Sequence, residues 1–167
     1  MKLLAALSLP LYALDQATKW WIVQRLALSH EWPPVIDAAH LAVIPGWFHL
    51  VYWANTGAAF SIGRDNNWFF VVLSVTTFIG LLIATARGVF KDQLSRIGVA
   101  LLVAGILGNV TDRIIHGHVV DFLLVDLHVR FADPWPAFNV ADSCICIAVG
   151  LFLLAALLEE KVKRATT

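Results

Sequence analysis

Residues 97–115 read IGVALLVAGILGNVTDRII. The run carries no polar side chain as far as Gly108 and then takes Asn109, Asp112 and Arg113 close together. It matches the ~20 residues a helix needs to cross the hydrocarbon layer of a membrane. Asn109, Asp112 and Arg113 are spaced three and four apart, so they fall on one helix face near one end of the span. Gly105 and Gly108 lie one turn below and permit close helix contact. An ionisable side chain inside a bilayer costs on the order of 2.5–3.5 kcal/mol on insertion scales, so such residues persist where they pair or do work.

Three further apolar stretches flank this one. Residues 3–28 contain Asp15, Lys19 and Arg25, residues 68–86 contain no charge, and residues 138–158 are polar only at their start. Of the 167 residues, 59% are hydrophobic and 14% charged, with 12 basic and 12 acidic side chains, and the mean hydropathy is +0.75. Soluble domains average about 45–50% apolar and about 25% charged residues. The composition excludes a disordered chain, and a nucleic-acid partner is not expected without a basic excess. The pattern predicts an all-α integral membrane protein, a single domain of four transmembrane helices. Lys2 followed by an apolar run could be a signal peptide, but the hydrophobic pattern resumes at Trp20 without a small-residue cleavage site, so an uncleaved first helix is expected. Cys144 and Cys146, two apart in an apolar run, give no disulfide framework.

Lysine and arginine placement sets the orientation. Lys2, then Arg87, Lys91 and Arg96, then Lys161, Lys163 and Arg164 fall on one side, whereas the loops at 29–67 and 116–137 hold only Arg64 and Arg130. Both termini are therefore expected in the cytoplasm. Trp32, Trp47, Trp53, Trp68 and Trp135 fit an interfacial aromatic belt. The stretch from Trp47 to Trp53, rich in β-branched and aromatic residues, predicts one or two short strands lying on the outer membrane surface.

The remaining polar residues gather at the outer ends of the spans. Asp15 and Lys19 are four apart and can pair, and they fit either an ion pair that lets the helix insert or part of a polar wall. Asp112 fits a structural anchor with Arg113, whose guanidinium can hold several oxygens at once. Asp121 sits among apolar neighbours, which points to a semi-buried position. Asn139 and Asp142 have the spacing of a capping box at the start of the last helix. If the third and fourth helices pack side by side, Asp121 and Asp142 can share one groove. Two close carboxyl groups there would hold one proton between them. The ionised one can take a proton from water while the protonated one polarises a peptide carbonyl.

Four blocks carry a family likeness: Asp15-Gln16-Ala17-Thr18-Lys19; Asn55-Thr56-Gly57-Ala58-Ala59-Phe60-Ser61; Gly108-Asn109-Val110-Thr111-Asp112-Arg113 with Gly117-His118-Val119-Val120-Asp121-Phe122; and Phe138-Asn139-Val140-Ala141-Asp142. In that order they resemble the bacterial signal peptidase II family. The resemblance implies an intramembrane aspartyl endopeptidase that cuts prolipoproteins before a diacylglyceryl-modified cysteine, in the bacterial inner membrane, without metal or cofactor. It implies Asp121 and Asp142 as the catalytic pair. Asn55, Gly57, Asn109, Arg113 and Asn139 would line the site, Asp15 and Lys19 would support it, and a small β platform over the helices would help clamp the substrate. Its partners would be the lipid-modified precursor and membrane lipid, with the enzyme a monomer. One departure is Ala104-Gly105-Ile106, where family members often carry Gly-Gly-Ala; it touches no proposed catalytic group.

Three rivals make different demands. A zinc peptidase could use His116, His118, Asp121 and His128, although no HExxH motif is present. A proton-conducting transporter could use Asp15, Lys19, Asp112 and Arg113. A structural scaffold would need the aspartates for folding alone.

Overall fold

Where the chain turns polar decides where each helix stops. In the computed structural model, which describes residues 2–26, 40–57, 63, 65–129 and 135–165, four helices appear. They are α1 (Lys2–Leu26), α2 (Asn67–Ala86), α3 (Gln93–His116) and α4 (Val140–Ala165). Asp92 caps α3 by accepting from the Ser95 N–H at 2.8 Å. Gly117 ends it in the left-handed region at φ 76°, a conformation that suits glycine, and its N–H returns to the Arg113 carbonyl. That turn sends the chain directly into a strand.

Three of the helices, α2, α3 and residues 140–164 of α4, are long and apolar enough to cross a membrane, with mean hydropathies of 2.3, 1.6 and 2.4. The polar side chains of α1 keep it below that level of apolarity, yet Asp15 and Lys19 are 1% and 3% exposed. They face α3 and α4 rather than the surroundings. The large apolar side chains of α2 and α4 point outward instead, as a lipid-facing surface requires.

The expected small β element is present, but it is larger than the one or two strands expected. It has four antiparallel strands in the order β1 (Leu41–Ile44), β2 (Phe48–Asn55), β3 (Val119–Val125) and β4 (Trp135–Phe138). Residues 119–125 and 135–137 fall within the expected outer loop, and Phe138 at the start of the last expected span. Their β-branched and aromatic content suits a pleated surface, and pairing with β2 overrides the loop reading. The expected strand at Trp47–Trp53 is present as the body of β2. Trp32, Arg64, Arg130 and Ala58–Ser61 lie outside the described residues.

The helices meet through α3, which packs most extensively against α4 and then α1. At Gly108 an added Cβ would come within 2.5 Å of Asp15 Oδ2 and 2.9 Å of the Ala141 Cβ. The missing side chain is what lets three helices converge beside the polar cluster. On the other side, Ile22 of α1 packs with Val120 and Phe122 of β3, fixing the sheet to the helices. Val120 and Phe122 use one face of β3, so Asp121 between them points to the opposite face.

Candidate active site

Asp121 comes from the middle of β3 and Asp142 from the first turn of α4. The two are joined by Asn139. Its side-chain Nδ2 donates to Asp121 Oδ1 at 2.8 Å, and its main-chain N–H donates to Asp142 Oδ2 at 3.2 Å. Asn139 Oδ1 in turn accepts the Asp142 N–H at 2.8 Å, closing the expected reciprocal cap. The capping role and the juxtaposition with Asp121 are thus both present.

Each carboxyl has a second amide partner. Asn55, at the end of β2, donates to Asp121 Oδ2 at 2.8 Å, and Asn109 of α3 donates to Asp142 Oδ1 at 2.7 Å. Burial first, and the negative charge of Asp142 second, push the Asp121 carboxyl up to about 8. It is 2% exposed, and that burial favours its protonated form.

Lys19 does more than pair along α1. Its ammonium lies 2.9 Å from Asp15 and 2.9 Å from Asp112, and it donates to Asn109 at 3.0 Å. Asp15 also accepts the Ala141 N–H at 2.8 Å, and Asp112 the Val120 N–H at 3.0 Å. Asp112 therefore anchors to Lys19, and its sequence neighbour Arg113 turns elsewhere. Arg113 donates to the Gly57 carbonyl at 2.6 Å and to Asn67 Oδ1 at 3.3 Å, and its guanidinium lies over the Phe70 ring. Gly57 closes a turn by donating its N–H to Asn55 Oδ1 at 2.9 Å. The side-chain hydrogen bonds of Arg113 thus go to Asn67 and to the turn that carries Asn55, while its charge acts directly on Asp121 and Asp142.

Two participants were absent from the expected set. Gln16 donates to Asp15, to Asp112 and to the Gly108 carbonyl, and Asn67 exchanges hydrogen bonds with Arg113. Gln16 sits within the first sequence block, which was the available signal; Asn67 had none beyond its place at the head of α2. Among the described residues, His49 Nδ1 is the one buried side-chain nitrogen or oxygen without a hydrogen-bond partner. The acidic cluster is fully satisfied.

Of the histidines in the zinc reading, His116 and His118 have ring centroids 6.0 Å apart. His118 contacts the Tyr52 hydroxyl at 3.1 Å, and burial lowers its pKa. His128 stacks on Trp47. Among the described residues no group of three or more His, Cys, Asp or Glu side chains is placed to hold a metal ion.

A mostly helical membrane fold with buried acidic groups gathered at the junction of its helices and a small sheet is the architecture of a membrane enzyme. The family model described as Signal peptidase (SPase) II matches residues 7–158. The lipoprotein signal peptidase of Symbiobacterium thermophilum is 39% identical over 147 residues, covering 88% of this chain and 89% of that protein. That of Neisseria gonorrhoeae is 38% identical over 164 residues, covering 96% and 92%. Among solved structures, a bacterial membrane enzyme determined by the in meso method at 2.3 Å resolution superposes with a TM-score of 0.80 at 27% identity, covering 96% of this chain and 90% of that one. The chain belongs to the signal peptidase II family and is a protease of that family. The resemblance carried by the four sequence blocks is borne out.

Proposed function

We propose that this peptidase removes the signal peptide from diacylglyceryl-modified prolipoproteins by cleaving before the lipidated cysteine, with Asp121 and Asp142 as its catalytic pair. The single observation that carries the assignment is Asn139, whose side-chain amide holds one carboxyl and whose main-chain N–H holds the other. Asp142, ionised, takes a proton from water as the water oxygen attacks the scissile carbonyl carbon. Asp121, protonated, donates to the carbonyl oxygen as it gains charge. Asp142 then passes its proton to the leaving nitrogen, the C–N bond breaks, and Asp121 recovers its proton as the carbonyl reforms. Asn55, Asn109 and Asn139 hold the carboxyls in place, while Arg113 and Gly57 hold Asn55.

The enzyme spans the inner membrane four times in this reading. The 25-residue α1 reaches about 37 Å at 1.5 Å per residue, enough to cross, and its mid-helix charges Asp15 and Lys19 are satisfied internally. The site lies near the outer face in this reading, which is supported by the position of Asp142 at the end of α4 opposite its basic end, and of Asp121 on the strand that follows the end of α3 opposite the basic α2–α3 connection. The lipid chains of the substrate remain in the bilayer, and a monomer carries the whole site.

The test uses purified enzyme in liposomes, a diacylglyceryl-modified precursor and its unmodified twin. The expected product, by mass, is a lipidated cysteine at the new N-terminus, formed from the modified precursor alone and in the presence of EDTA. Equal cleavage of the unmodified twin, or loss of activity in EDTA restored by zinc, would overturn the reading.

A further inference from the structure

We propose that Lys19 is a positioning residue: its ammonium ties Asp15 and Asp112 into a two-armed clamp that sets the separation of Asp121 and Asp142. The inference rests on the catalytic reading of that pair. The two arms are alike. Asp15 holds the N–H of Ala141, the residue before Asp142, at 2.8 Å. Asp112 holds the N–H of Val120, the residue before Asp121, at 3.0 Å. One arm therefore fixes the start of α4, the other fixes β3, and both meet on a single ammonium at 2.9 Å. A third line runs from Lys19 to Asn109 Oδ1 at 3.0 Å and from Asn109 Nδ2 to Asp142 Oδ1 at 2.7 Å. Gln16 Nε2, 3.0 Å from Asp112 and 3.2 Å from Asp15, braces the two arms against each other.

The geometry does more than satisfy a buried charge. An ion pair whose only purpose was insertion of α1 would be complete with Asp15, four residues away on the same helix. The second carboxylate is an additional burial cost on its own. It is offset by the grip on Val120, the point where the strand bearing Asp121 leaves the helix bundle. A misplacement of about 1 Å between reacting groups can cost on the order of 10²-fold in rate. The charged groups around Lys19 are Asp15 on α1, Asp112 on α3, Asp142 on α4 and Asp121 on β3; Arg113 of α3 is turned to Gly57.

The test is the double variant Lys19→Met/Asp112→Asn. One positive and two negative charges become one negative charge, so the net charge of the cluster is unchanged. The amide oxygen can still accept from Val120, so what is removed is the ammonium bridge together with the Gln16 brace on Asp112. Thermal unfolding is expected within a few degrees of the wild type. Cleavage of the lipidated precursor is expected to lose at least about 30-fold in kcat with KM within about twofold. The alkaline limb of the pH profile should move upward, because the nearby ammonium favours ionised Asp121.

Wild-type kcat in the double variant would overturn the clamp. Asp121→Asn is the companion control. If it is inactive while the double variant is fully active, the clamp alone falls; if it cleaves normally, the catalytic reading falls and the clamp with it. Should the double variant fail to fold, Asp15→Asn replaces it, keeping the acceptor for Ala141 while freeing one arm from Lys19. A loss of about fivefold in kcat at unchanged KM is then expected, and unchanged kcat overturns the proposal.

Discussion

Asn139 donates from its side-chain amide to Asp121 Oδ1 at 2.8 Å while it also serves as the N-cap of α4, whose first turn carries Asp142. Helix capping and active-site assembly are thus carried by one buried residue, and they can be separated. Serine is also a good N-cap but lacks the second amide. Asn139→Ser should therefore leave the melting temperature nearly unchanged and lower kcat at least about tenfold. Asn139→Ala should lose activity and also about 0.5–2 kcal/mol of stability with the cap. Thermal unfolding in detergent alongside precursor cleavage distinguishes the two.

The raised pKa of Asp121 has consequences for both rate and stability. Below about 8 the carboxyl keeps its proton in the folded protein, and the general acid should be lost as pH rises through that value. The alkaline limb of kcat/KM is expected near pH 8. For stability the sign is the same. The unfolded carboxyl ionises near its ordinary value of 3.8, so between there and about 8 the folded state binds the extra proton. This group's contribution is fully present below 3.8 and is lost as pH rises through about 8. Melting temperatures across pH 5–9 should fall more steeply for the wild type than for Asp121→Asn.

Arg113 holds Asn55 through Gly57 and also acts on Asp121 by charge, so a variant that keeps the charge and loses the contacts should resemble the loss of Asn55. Arg113→Lys cannot reproduce the planar contacts to Gly57, Asn67 and the Phe70 ring. A fall of about tenfold in kcat is expected for Arg113→Lys and for Asn55→Ala, with the pair together little worse than Asn55→Ala alone. Fully additive losses would show that Arg113 acts by another route.

The helix junction gives a test of packing alone. Gly108→Ala would drive a methyl group into Asp15 and Ala141, costing about 1–3 kcal/mol from overpacking. Gly150→Ala meets nothing within 4 Å and should be neutral or stabilise α4 by about 0.5–1 kcal/mol. Equal melting temperatures for the two variants would contradict the close approach at Gly108.

Much of this was readable from the residues. Each apolar stretch overlaps one of the four helices, and the capping spacing of Asn139 and Asp142 marks the start of α4 at Val140, two residues after the apolar stretch begins at 138. The four-stranded sheet was not readable. Strands such as Trp135–Phe138 are too short for an alternating pattern and become strands by pairing with a neighbour distant in sequence. The direction of Arg113 was hidden for a similar reason. Helical spacing showed that it shared a region with Asp112, yet the carbonyl it holds belongs to a turn whose position depends on the whole sheet. Asp112 was expected to pair with its neighbour, and the convergence on Lys19 depends on how closely α1 approaches α3 at Gly108.

The most direct test of the paired carboxyls is turnover of a diacylglyceryl-modified precursor by Asp121→Asn and Asp142→Asn, each first shown to unfold at a temperature close to the wild type. Amides preserve the size of both side chains and remove the ability to exchange a proton with water or with the leaving nitrogen. A loss of at least about 10³-fold in kcat for each variant, with KM little changed, is expected. Cleavage at the wild-type rate by either folded variant would contradict the assignment of Asp121 and Asp142.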